Sequence, residues 1–283
     1  MTQPDDDSFL AALRDAVRLR DCLALALVPA VAVAVFTLPA ARRRSLAFTY
    51  RDPSLVTAYT AQFVHFDAAH LAANVLGYAL VAGFGYVLAA LSGYRRLFGV
   101  TAATYLLAFP PALSWLNLAL PRNAVGYGLS GLNMAFVGLL ALVLVAYWSR
   151  LDDRISVRYA PGLFFAVVAL IALIVPRAGT VTGIGAASVF VAAGYVVSAR
   201  RSWPERPRSG RRPRLDRAGW LDAGILGVVT LFGYQFVGFD SLAADSGIVN
   251  VYVHLLGFCL GFIVPYTALA LGVLGADRGF LSD

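Results

Sequence analysis

The sequence predicts an all-α fold, a polytopic bundle of membrane helices. Of its 283 residues 59% are hydrophobic and only 14% charged, and the mean hydropathy is +0.72; an ordinary soluble domain is far less apolar. The charges gather in short clusters, and the stretches between them run to about 20 residues, the length a helix needs to cross a bilayer core of roughly 30 Å. Hydrocarbon offers backbone groups no water, so helices are the favoured way across. No alternation of apolar and polar residues points to a barrel.

Uncharged runs bounded by Arg or Asp give eight spans, at 22–39, 66–92, 97–119, 125–148, 160–176, 179–199, 218–237 and 247–274. The chain opens on Asp5, Asp6 and Asp7, unlike the basic start of a signal peptide, and no small-residue cleavage site follows the first apolar run. That run is therefore expected to be retained as a span. Residues 8–21 mix Phe9, Leu10, Leu13 and Val17 with Arg14, Arg18 and Arg20, which reads either as an interfacial amphipathic helix or as a polar tail with no binding role. Only Pro176, Arg177, Ala178 and Gly179 separate the fifth and sixth spans; a tight hairpin and a pair of short, partly buried helices both fit. The chain divides into a polar N-terminal segment, 1–21, a membrane domain, 22–275, and a short tail, 276–283.

Arginine sets the expected orientation, because the chain has no lysine. With the N-terminus in the cytoplasm, the loops that hold Arg95 and Arg96, then Arg150, Arg154 and Arg158, then the arginines of 200–217 all fall inside, and they account for most of the 23 basic residues. The positive-inside rule selects this arrangement, a multi-pass protein of the cell membrane with both termini cytoplasmic. Arg42, Arg43, Arg44 and Arg51 fall in the outside loop after the first span, which could lie along anionic headgroups. The stretch 200–217 carries Pro204, Pro207 and Pro213 among its arginines. It reads as an extended cytoplasmic loop in contact with anionic lipid, and without aromatic interleaving it gives no reason to expect nucleic-acid binding. Cys22 and Cys259 form no framework or C-x-x-C spacing and read as packing residues.

His65, His70 and His254 are the only histidines, each beside a long uncharged run. Imidazole is costly in hydrocarbon, so an intramembrane histidine is by default a functional-site hypothesis. The first two lead to Asn74 in an H-x4-H-x3-N pattern, Gly128-Leu129-Ser130-Gly131 follows, and His254 recurs with Gly257 and Gly261 at steps of three and four. The expected topology brings all three motifs to one depth. A serine hydroxyl is a weak nucleophile until a base takes its proton, and His254 is a suitable base for Ser130. Gly128 and Gly131 let the backbone bend or approach closely, exposing the hydroxyl and an N–H. His70 and Asn74 project from one helical face, two donors suited to one developing oxyanion. On a continuous helix His65 would lie roughly 140° from His70; it reads as structural, bonding loop backbone. No H-E-x-x-H occurs, a serine–lysine pair is impossible without lysine, and two facing carboxylates are lacking at depth. A Ser130/His254 dyad remains, working with no metal and no cofactor.

These motifs, in this order, resemble the rhomboid family of intramembrane serine proteases, whose signature is H-x4-H-x3-N, G-x-S-G and H-x2-G-x3-G on three helices. The resemblance covers roughly 54–150 and 240–275. It implies a six-helix core with two additional spans, catalysis by Ser130 and His254, and an oxyanion hole formed by His70, Asn74 and the Ser130 N–H. His65, Gly128, Gly131, Met134, Gly257 and Gly261 would be structural support. Substrates would be single-span membrane proteins cut near the outer leaflet; the alternative is a rhomboid-like pseudoprotease that binds or escorts them uncut. The chain departs from the family pattern in several places. Val56 and Thr57 stand where many members carry Trp-Arg, Met134 where many bacterial members have a tyrosine packed on the catalytic histidine, and Val253 in place of the usual alanine. Three apparent spans separate Ser130 from His254 where a six-span member has one, and an inserted pair of helices is the simplest explanation.

Overall fold

The computed structural model describes residues 8–120, 123–175, 178–203, 218–239 and 247–273. Among the described residues, eight helices are long and apolar enough to cross a membrane, and the chain is a multi-pass membrane protein with an all-α bundle. The first seven residues, most of the basic 200–217 loop and the 276–283 tail lie outside the described residues.

Two short helices and one span open the chain: α1 (Phe9–Ala16), α2 (Leu19–Phe36) and α3 (Ala40–Leu46). The 8–21 segment is not one interfacial helix. Val17 and Arg18 are extended, so α1 ends before α2 begins, and the apolar face of α1 packs on protein. Phe9 meets the Trp220 ring edge-on at 5.5 Å. The break is held by Tyr86, whose hydroxyl donates to Asp21 at 2.8 Å and accepts from the Arg18 N–H at 3.0 Å.

After α4 (Leu55–Thr60) comes the second span, which runs through α5 (Ala68–Tyr78), a π-helical segment over Ala79–Gly83 and α6 (Phe84–Leu91). The third is α7 (Arg95–Leu116). Pro110 lies inside it and has no N–H for the carbonyl four residues back. The Tyr59 hydroxyl takes that orphan, donating to the Leu106 carbonyl at 3.0 Å.

The fourth span is the axis of the bundle. α8 (Ser130–Leu151) is apolar on every side and almost wholly buried, as expected of a helix surrounded by others. It starts five residues later than the charge pattern suggests. Residues 125–126 instead form β2 (Val125–Gly126), antiparallel to β1 (Phe48–Thr49), with Phe48 opposite Gly126 and Thr49 opposite Val125.

α9 (Ala160–Ile174), α10 (Ala178–Arg201), α11 (Trp220–Gly238) and α12 (Gly247–Ala270) complete the order. The first two form the hairpin alternative of the sequence reading. α9 lies against the bundle, its Phe164 ring stacked on Phe258 and Phe262 at 5.2 and 4.5 Å, whereas α10 is almost entirely unburied. α11 packs directly on α8, where Gly224 and Gly227 make room for Trp148 and Leu144. Of the helices between Ser130 and His254, α10 is the one on the outside of the bundle, while α9 packs on α12.

α12 and α8 approach until backbone meets backbone. A Cβ added at Gly257 would stand 2.2 Å from the Gly131 carbonyl oxygen, one at Gly261 2.2 Å from that of Ala135, and one at Gly138 2.2 Å from that of Phe258. Such glycine contacts are the usual means by which membrane helices come close enough for dispersion and Cα–H contacts to hold them. Tyr105 closes the contact by donating to the Gly261 carbonyl. Because the obstructing atoms are backbone, a methyl here has nowhere to go. Gly261→Ala is expected to destabilise the bundle by about 1–3 kcal/mol, read as a lowered midpoint of thermal unfolding in detergent. Gly194→Ala, where a Cβ meets nothing within 4 Å, should leave the midpoint unchanged or slightly raised. Equal behaviour of the two variants would contradict the close-contact account.

Candidate active site

Asp67 starts α5. Its carboxylate accepts from the His70 N–H at 2.8 Å, a side-chain cap on the first turn, and this puts His70 and Asn74 one turn apart on one face. His65 precedes the helix, so the angular separation expected from a continuous helix does not apply. Its ring stands 5.1 Å from that of His70, edge to face. The approach to α5 is held by Arg43. Its guanidinium donates to the His65 carbonyl at 2.8 Å and sits over the Phe36 ring at 4.7 Å. Arg43 is thereby committed to protein contacts and is not a free headgroup contact.

The loop before α8 is pressed onto the two histidines. Gly128 has φ +101°, and a Cβ there would lie 3.0 Å from His70 Cε1 and 3.8 Å from His65 Nε2. Both the backbone sign and the space require glycine. The Gly128 N–H donates to the Ala61 carbonyl at 2.9 Å, and Tyr127 lays its ring edge-on against His70 at 5.7 Å. Ser130 is the first residue of α8, so its N–H has no intrahelical acceptor and stands at the positive end of the helix.

His254 is oriented from α11. Its Nδ1 lies 2.5 Å from the Gly238 carbonyl oxygen, and a carbonyl only accepts, so Nδ1 carries the proton and Nε2 is a bare acceptor. Nε2 has no hydrogen-bond partner. The aromatic contact on this imidazole comes from Phe239, ring to ring at 6.0 Å. Met134 lines the same cavity as His254, beside Gly238.

His70, Asn74, Ser130 and His254 all border one cavity of about 390 Å³. Residues of all three motifs thus border one cavity, although their order and spacing alone do not impose it. Ser130 Oγ is not hydrogen-bonded to His254 Nε2; the two share the cavity unjoined, a looseness common in catalytic pairs without substrate. Glycines at 131, 257 and 261 bring the two helices together here, with Val253 against Gly131. Among the described residues no group of three metal-ligating side chains occurs.

The opposite wall holds residues that the sequence reading passed over. Ser114 donates to the Ala58 carbonyl at 2.8 Å, Gln62 donates to Ser114 at 3.4 Å, and Asn117 donates to the Tyr50 hydroxyl. All four side chains border the cavity. The signal for two of them was present in the sequence, since Ser114 and Asn117 are polar residues one turn apart in an apolar span. Gly238 and Phe239, which fix and flank His254, gave none.

No family model matches the chain, and no curated protein or solved structure matches it either.

His65 lies outside the spans and is fully buried. Burial first, and the neighbouring His70 second, push its pKa down to about 4, opposed only by the Phe63 backbone. It is neutral at pH 7. A depressed histidine pKa means that the unfolded chain takes up a proton more readily than the folded one, so stability present above pH 6.5 falls as the pH drops toward 4. Thermal unfolding of wild type against His65→Gln across that window tests this. The wild type should lose stability more steeply on acidification; parallel curves would contradict it.

Proposed function

We propose that the chain is an intramembrane serine endopeptidase of the rhomboid type. The observation that carries the reading is the state of His254: Nδ1–H is committed to the Gly238 carbonyl, and the bare Nε2 belongs to a ring bordering the same cavity as Ser130, His70 and Asn74. That arrangement is what a general base needs, a lone pair directed by a hydrogen bond on the other nitrogen. Ser130 Oγ attacks the scissile carbonyl while His254 Nε2 takes its proton. The oxyanion gathers N–H donors from Asn74, His70 and the Ser130 backbone at the positive end of α8. His254 then returns the proton to the leaving amine, and water releases the acyl group by the same path in reverse. No cofactor enters the scheme.

The arginine distribution supports a protein of the cell membrane with both termini cytoplasmic, and hence a cut near the outer leaflet. The substrate class is single-span membrane proteins, because the cavity opens within a bundle whose flanks are apolar. Anionic headgroups are the partners of the Arg-rich loop, and nucleic acid is not a partner. A second reading, a pseudoprotease that binds such proteins uncut, draws on the missing Ser130–His254 hydrogen bond.

Reconstituted protein and a substrate with a Gly-containing transmembrane helix distinguish the two. Wild type should cleave it, while Ser130→Ala and His254→Ala reduce cleavage to background and leave the protein folded. The double variant should be no worse than either single, since the pair acts as a unit. Substantial cleavage by Ser130→Ala ends the serine-protease reading, and absence of cleavage by the wild type favours the pseudoprotease.

A further inference from the structure

Asn133 is a buried amide in α8, the most buried of the described spans, 1% exposed, and it does not border the cavity. It lies one turn beyond Ser130. Its Nδ2 donates to the Asn74 carbonyl at 2.9 Å and reaches the Asn74 side-chain oxygen at 3.5 Å. The Tyr234 hydroxyl of α11 reaches the same spot. Room for this meeting is made by Gly77, where a Cβ would fall 2.4 Å from the Tyr234 oxygen and 3.2 Å from Asn133 Nδ2. The Asn133 oxygen has no partner. An amide left half-satisfied in an apolar interior is costly, so the value of this side chain lies in its donor half.

We infer that Asn133 is a positioning residue for the oxyanion hole, tying Asn74 to the helix that begins at Ser130. It deepens the proposed protease function and rests on that reading. An asparagine serves an oxyanion only while its NH2 faces the reacting carbonyl and its oxygen faces away. Asn74 Nδ2 donates to the His70 carbonyl at 3.1 Å, leaving its second N–H for the cavity, while Asn133 draws the oxygen to the rear. The same contact sets the distance between the two donors, because Asn133 and the Ser130 N–H are on one rigid turn. Tyr234 comes to the same junction from the helix that also directs His254, so α11 bears on both the base and the oxyanion site.

The test is a double-mutant cycle on cleavage of a transmembrane substrate by reconstituted full-length protein. Asn133→Leu keeps the volume and removes the donor; it should lower kcat by roughly tenfold, less than complete loss of an oxyanion donor, with KM little changed. Combined with Asn74→Ala it should cost nothing further, because it acts through Asn74. Asn133→Ser, which keeps a hydroxyl donor, should recover part of the loss. Gly77→Ala, which crowds the same junction from outside it, supplies a second route should Asn133→Leu not fold, with the same non-additivity expected. Additive losses, or a raised KM at unchanged kcat, would overturn the inference while leaving the protease reading intact. A wild type with no Ser130-dependent cleavage would overturn both.

Discussion

The contact between α8 and α12 is the constraint on which the rest of the site depends. Ser130 starts one of these helices and His254 is borne by the other, and a side chain as small as alanine between them would meet a carbonyl oxygen. In lipid, apolar surface alone does not drive helices together, so close backbone approach supplies the attraction. The same glycines that stabilise the pair therefore fix how near the imidazole comes to the hydroxyl. Packing and chemistry are one requirement here.

α11 is the second determinant. It meets α8 through Gly224 and Gly227, aims His254 through the Gly238 carbonyl, and brings Tyr234 to the junction of Asn133 and Gly77. In a serine–histidine dyad without a carboxylate, something else must choose the tautomer of the base. A backbone carbonyl does so without introducing a buried charge, which would be expensive at this depth. The position of α11 thus governs which nitrogen is free and how the amide network behind Asn74 is set. Of the hairpin that intervenes in sequence, α9 packs on α12 through Phe164, whereas α10 lies outside the bundle.

Much of this was legible in the sequence, for a physical reason. Helix-length apolar runs have a single solution in hydrocarbon, so the eight spans could be read from charge spacing alone. His70, Asn74, Ser130, Gly257 and Gly261 stood out because histidine, asparagine and glycine at turn-by-turn intervals are conspicuous against a Leu- and Val-rich background. What was illegible is what depends on tertiary contact. Strands of two residues, such as Phe48–Thr49 and Val125–Gly126, carry no periodicity, so charge spacing alone places the start of α8 too early. Arg43 read as one of a run of charges, whereas its place over Phe36 and on the His65 carbonyl appears only once α3 folds back. Helical phase misplaces His65, because the capping Asp67 starts the helix after it. Gly238 acts through a backbone carbonyl, which no residue type announces.

The central claim is that His254 activates Ser130. It is tested most directly by reacting the detergent-solubilised protein with a fluorophosphonate and locating the adduct by peptide mass spectrometry. The account predicts a single modified residue, Ser130, with the label lost in His254→Ala although that variant keeps the serine and the fold. Labelling of Ser130 at an unchanged rate without His254, or no labelling in the wild type, would contradict it.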